Sequence, residues 1–105
     1  MIVRSKDARK RKFLGLEIDA LAVGEKSMVT RMNYKAGDHV RSHSHSNEQL
    51  GYVVSGKIRI RFGEFDETLL VGDSYAIPGG IEHSIDVLED SVVIDCFSPP
   101  RQDYL

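Results

Sequence analysis

The stretch GDHVRSHSHSNEQLGYVVSG, residues 37–56, decides the fold of this chain. The turn Ala36-Gly37-Asp38 leads into it, Ser55-Gly56 closes it, and Leu50 to Val54 reads as a strand within it. His43 and His45 stand two apart. Residues i and i+2 of an extended strand face the same way, so the two imidazoles can converge on one ion. Gln49 follows His45 at another even offset, although Ser46-Asn47 can break the strand between them.

The same grammar continues on both sides. Met28 to Tyr34 reads as a strand before Gly37. Lys57 to Phe62 alternates charged and apolar residues, the period of a strand with one wet face. Gly63-Glu64 turns the chain into Phe65 to Val71, and Gly72-Asp73 turns it again into Tyr75 to Ile77. Pro78-Gly79-Gly80 is a strong breaker. His83 to Leu88 and Ser91 to Phe97 complete the set, with Glu89-Asp90 between them. Gly37, Gly56, Gly63 and Gly72 are expected where strands reverse. Short strands at this spacing, with no repeat and no long helix, predict an all-β sandwich or barrel.

The bulk properties agree with one small globular domain. The chain has 105 residues, 41% hydrophobic and 29% charged. No apolar run approaches the ~20 residues of a membrane span, so no membrane partner is expected. The N-terminus lacks the apolar core of a signal peptide, and Cys96 is the only cysteine. A cytoplasmic location is the expectation. The net charge is −2, but Arg4, Lys6, Arg9, Lys10, Arg11 and Lys12 crowd the first twelve residues. Residues 1–12 read as a basic arm and 13–105 as the folded domain. Without aromatic interleaving or a nucleic-acid motif, the arm reads as solvated or packed across a dimer, with no nucleic-acid partner.

An HxH pair alone is a weak metal signal. The wider spacing is specific: Gly37, His43, His45, Gln49 and Gly56 follow G-x5-HxH-x3-[EQ]-x6-G, and Gly72, Pro78, Gly80 and His83 follow G-x5-PxG-x2-H. Over about residues 28–98 the chain resembles the cupin superfamily, whose two motifs these are. Gln stands where the first motif has Glu, and Val87 where the second ends in Asn. The resemblance implies a single cupin barrel, a jelly-roll-like double-stranded β-helix closed so that strand edges are hidden. It also implies one divalent metal ion on His43, His45, Gln49 and His83. Glu48 is the rival ligand, at an odd offset from the histidines; His39 shares strand parity with His43 but has no ligand role. Three imidazoles and an amide are all neutral, so the ion would keep its full charge and favour anionic substrates. Such ligands suit Zn, Ni, Fe, Co or Mn.

The C-terminal stretch VVIDCFSPPRQDY, residues 92–104, carries a second signal. Asp95 and Phe97 share one strand face, Ile94 and Cys96 the other. An Asp in an apolar run is bonded internally, turned outward, or facing a wet cavity. Pro99-Pro100 stiffens the chain before Arg101, which suits either a salt bridge or two-point carboxylate binding. With HSHSNEQLGYVVSG, this ending resembles the KdgF-type cupins of pectin and alginate breakdown, over roughly residues 25–105. Those enzymes convert cyclic 4,5-unsaturated monouronates into linear keto-uronates. The resemblance implies functional roles for Asp95, Phe97 and Arg101.

Three functions follow as expectations. The first is an enzyme on a small anionic sugar, with Arg101 on the carboxylate, Asp95 moving a proton and Phe97 as an apolar wall. The second is a binding or sensing module using the same pocket. The third is a metal-dependent dioxygenase, which the neutral ligand set disfavours. Tyr52 and Tyr75 are expected in the wall or core. Outward apolar residues, Ile94 and Cys96 among them, need cover in so small a domain, which predicts a homodimer.

Overall fold

Alternating apolar and polar residues become alternating buried and exposed ones in a computed structural model that describes residues 1–105. Eight strands follow in order: β1 Arg9–Phe13, β2 Leu16–Val23, β3 Met28–Tyr34, β4 His39–His43, β5 Glu48–Phe62, β6 Phe65–Leu70, β7 Ser74–Ile77 and β8 His83–Ser98. Short 3-10 turns at Ser5–Asp7 and Gln102–Tyr104 flank them. No helix is long and apolar enough to cross a membrane.

All strand pairs are antiparallel, and two long strands organise them. The C-terminal half of β8 lies between β3 and the N-terminal half of β5, which also pairs with β7. The N-terminal half of β8 lies between β4 and the C-terminal half of β5, which also pairs with β6. The two halves fold over one core that takes Ile18, Met28, Met32, Val53 and Val93 from one side and Val40, Ile58, Ile60, Ile85 and Val87 from the other. This is the expected all-β jelly roll. Its hydrogen-bonded sheet is not closed, however, and it ends at β1 and β6, with β4 and β7 as further edges.

Four local readings change. Leu50 to Val54 and Lys57 to Phe62 are one strand, and His83 to Leu88 and Ser91 to Phe97 are another. Gly56 does not reverse the chain but sits in a bulged bend of β5, at φ 87°. A Cβ there would lie 2.1 Å from Ser91 Oγ, so the close approach of β8 also requires glycine. The bulge flips the facing of β5, from Gln49, Gly51 and Val53 inward to Ile58 and Ile60 inward. Tyr52, expected in the wall or core, is half-exposed on the outer face.

The sheet also begins earlier than the chemistry of residues 1–12 suggested. Arg9–Lys12 belong to β1, paired with β2 across the Leu14-Gly15 turn. On an edge strand charged side chains stay in water, so no apolar alternation reveals the strand. Asp19 on β2 ties Lys10 on β1 to Arg31 on β3, whose Nη2 donates over 2.8 Å.

Candidate metal centre

β4 delivers His43 through an irregularity. Val40 and His43 both point inward although they are an odd number of residues apart, because the register shifts between them. The same shift breaks the parity of His39 with His43. His39 turns outward and its Nδ1 lies 2.6 Å from Asp86 Oδ1. His45 lies just past the end of β4, in the loop before β5, so the pair converges without a continuous strand. Pro78-Gly79-Gly80 then returns the chain so that β8 begins at His83, paired with His43.

The three rings meet, with one ligand nitrogen from each lying within 4.8 Å of the others. Centroid separations are 4.3 Å for His43–His83, 5.0 Å for His45–His83 and 5.7 Å for His43–His45. Each Nδ1 faces a backbone carbonyl: Arg41 O at 3.0 Å, Asn47 O at 3.0 Å and Ile81 O at 2.9 Å. A carbonyl only accepts, so each Nδ1 carries the proton and each neutral ring presents the Nε2 lone pair. Burial holds all three imidazoles below the ordinary histidine range, His83 at about 4, so they are neutral at pH 7. His83 Nε2 is buried with no hydrogen-bond partner. Such a cost is unusual unless a ligand takes the lone pair. The residues present therefore fit a metal ion.

Gln49 is buried on β5, while Glu48 turns out into solvent. The Gln49 Oε1 lies 3.0 Å from His45 Nε2. As oriented, both atoms are acceptors, so a cation between them or a half-turn of the amide must hold them together.

The functional candidates of the C-terminal segment lie on the same cavity, which is lined by His43, Gln49, His83, Asp95, Phe97 and Arg101 among others. Asp95 is 3% exposed, and Tyr75 Oη donates to its Oδ1 over 2.6 Å. Burial raises the Asp95 carboxyl to about 6, against the Tyr75 hydrogen bond, which lowers it. Phe97 packs its ring edge-on to His45 at 5.6 Å. Arg101 is 6% exposed, not presented at the surface. Its Nε and Nη2 donate to the two oxygens of Asp103 over 3.1 and 2.7 Å, and its guanidinium sits against Phe13, Phe97 and Tyr104.

Four of these participants were not singled out from sequence: Phe13, Tyr34 and Tyr104, which line the cavity, and Asp103. Phe13 belongs to the unrecognised β1. The last two fall in QDY directly after Arg101, where an Asp two residues beyond an Arg was the only available hint.

The Cupin domain model matches residues 30–95, more than half of the chain. The chain belongs to the cupin family. This cupin is 28% identical over 93 residues to the pectin degradation protein KdgF of Dickeya dadantii (strain 3937), covering 87% of this chain and 84% of that protein. Its structure is similar to that of KdgF from Halomonas sp., with a TM-score of 0.89, 28% identity and all of both chains covered. An RmlC-like cupin from Shewanella frigidimarina NCIMB 400 has the same fold, with a TM-score of 0.90 at 24% identity over 99% of this chain and 95% of that one.

Proposed function

We propose that this cupin is a metal-dependent enzyme that opens 4,5-unsaturated monouronates to linear keto-uronates, with His43, His45, Gln49 and His83 as the metal ligands. The observation that carries the reading is that Asp95 and Arg101 line the same cavity as His43 and His83, two members of the three-histidine cluster. The likeness to two KdgF proteins, one named for pectin degradation, supports the substrate class.

Held by these neutral residues, a divalent ion would supply Lewis acidity undiminished by any charged ligand. The protein's own residues do the rest. Arg101 Nη1, the end of the guanidinium not engaged by Asp103, meets the substrate carboxylate. Phe97 excludes water beside it. Asp95 Oδ2, the oxygen not bonded to Tyr75, handles the proton. In the isomerisation the anomeric hydroxyl loses its proton, the bond from the anomeric carbon to the ring oxygen breaks, and two carbonyls form. A proton adds to the former alkene carbon, so no atom is gained or lost. A carboxyl poised near neutrality suits both removal and return of that proton.

The test follows the ultraviolet absorbance of an unsaturated monouronate with metal-loaded protein, against a protein-free control for spontaneous opening. Loss faster than the control supports the enzyme. No acceleration at confirmed metal occupancy leaves the binding module, in which the pocket holds an anion without turning it over. The outer sheet face, with Leu50, Tyr52 and Val54 at 44–49% exposed beside half-buried Ile94 and Cys96, is proposed to seat a second copy of the chain.

A further inference from the structure

The space left above the histidines is small. The cavity holds about 30 Å3 of room for solvent, enough for a water or two and far less than a sugar ring. Part of its wall is Phe13, which comes from the edge strand β1 and takes no part in the cupin motifs. Its ring centroid lies 4.8 Å from that of His43, 6.0 Å from that of Tyr104 and 4.7 Å from Arg101 Cζ. Phe13 thus touches one candidate ligand and the candidate carboxylate binder together.

Phe13 is held by one neighbouring strand and by packing against the core. β1 has one neighbour, β2, and its other edge is unpaired. The connection beyond Phe13 is the two-residue turn Leu14-Gly15, with φ of 51° and 83°. Positive φ at both positions matches the twist of a tight hairpin, yet it is disfavoured for a leucine. Leu14 is the only non-glycine residue with positive φ, and its side chain packs against the core. A strained turn therefore holds the aromatic ring against the centre from a strand paired on one side only.

We propose that Phe13 is a specificity-determining residue, an aromatic gate on the β1–β2 hairpin that turns aside for ring-sized carboxylates and lets one-carbon carboxylates pass unhindered. This rests on the metal-centre reading but not on the uronate reaction.

The experiment loads wild type, Phe13→Ala and Phe13→Trp with Co2+, measures bound cobalt, and follows the visible Co2+ band in stopped flow against formate or galacturonate. Phe13→Ala is expected to raise the galacturonate association rate about tenfold, equivalent to about 1.4 kcal/mol off the entry barrier, with formate changed less than about twofold. Phe13→Trp should slow galacturonate and leave formate unchanged, and it reports even where the alanine variant folds poorly. Failure of the wild type to take up cobalt overturns the metal reading and the gate with it. Cobalt uptake with an unchanged galacturonate-to-formate ratio overturns the gate alone, as does galacturonate that fails to bind Phe13→Ala while formate binds.

Discussion

Replacing Gly51 by Ala should collapse the support under Asp95. Gly51 is buried on β5, opposite Tyr75 on β7. An added Cβ would lie 2.0 Å from Tyr75 Cζ and 2.4 Å from its Cε1 and Oη. Carbon atoms rest about 3.5–4.0 Å apart, so the ring must retreat by more than about 1 Å. Tyr75 is 8% exposed and belongs to the core cluster. Its hydroxyl stands 2.6 Å from Asp95 Oδ1, and that retreat takes it past the limit of a good hydrogen bond. Overpacking costs about 1–3 kcal/mol and a lost bond to a charged group about 1.5–3 kcal/mol. Together they predict a destabilisation of about 2.5–6 kcal/mol, a large share of a small domain's stability. Urea unfolding of metal-free protein at pH 7, followed by far-ultraviolet circular dichroism, measures it. Tyr75→Phe should lose only the bond. Tyr75→Leu removes the clashing atoms, so the double variant with Gly51→Ala should cost clearly less than the sum of the singles. The packing argument would be refuted by a Gly51→Ala penalty under about 1 kcal/mol, or by strict additivity with Tyr75→Leu.

Asp95→Asn should lower kcat on an unsaturated monouronate by roughly 10²–10⁴-fold with metal retained, while Arg101→Ala should chiefly raise KM; steady-state kinetics beside metal analysis separates the two. In metal-free protein Asp95 holds a proton in the fold up to about pH 6 that the unfolded chain releases near 3.8. Its contribution therefore falls as pH rises through that window, by about 3 kcal/mol in all. His83 works in the opposite sense: folded at about 4 and unfolded at 6.5, it makes stability rise with pH over that interval. Compared with wild type, unfolding titrations between pH 4 and 7 should show stability rising more with pH in Asp95→Asn and less in His83→Gln, with the lowered His43 and His45 adding to the rise in both. Light scattering should give twice 11.8 kDa at micromolar concentration, and Tyr52→Lys on the outer face should shift the protein to monomer.

The gate and the Asp95 network meet in one geometry. β1 places Phe13 on the cavity wall, β7 places Tyr75 against Asp95, and β8 carries His83, Asp95 and Phe97 along one inward face. Changes at the wall should alter entry and exit, and changes at the base should alter protonation. The two can be told apart by comparing association rates with kcat.

The sequence by itself determined the family, most of the strand segments from Met28 onward, the three converging histidines and the inward facing of Gln49 against the outward Glu48. Each of these is written in short-range periodicity and fixed spacing: glycines at turns, even offsets on β5, and inward residues alternating along β8. Only the tertiary structure decided the rest. The bulge before His43 reversed the facing of His39, and the bend at Gly56 joined two expected strands into one. Neither alters composition or local pattern; each shows only when a partner strand fixes the register. The basic strand β1 stayed hidden because an edge strand keeps its charges in water. Asp103 on Arg101 and Tyr75 under Gly51 depend on which side chains meet across the fold, and no spacing along the chain encodes such meetings.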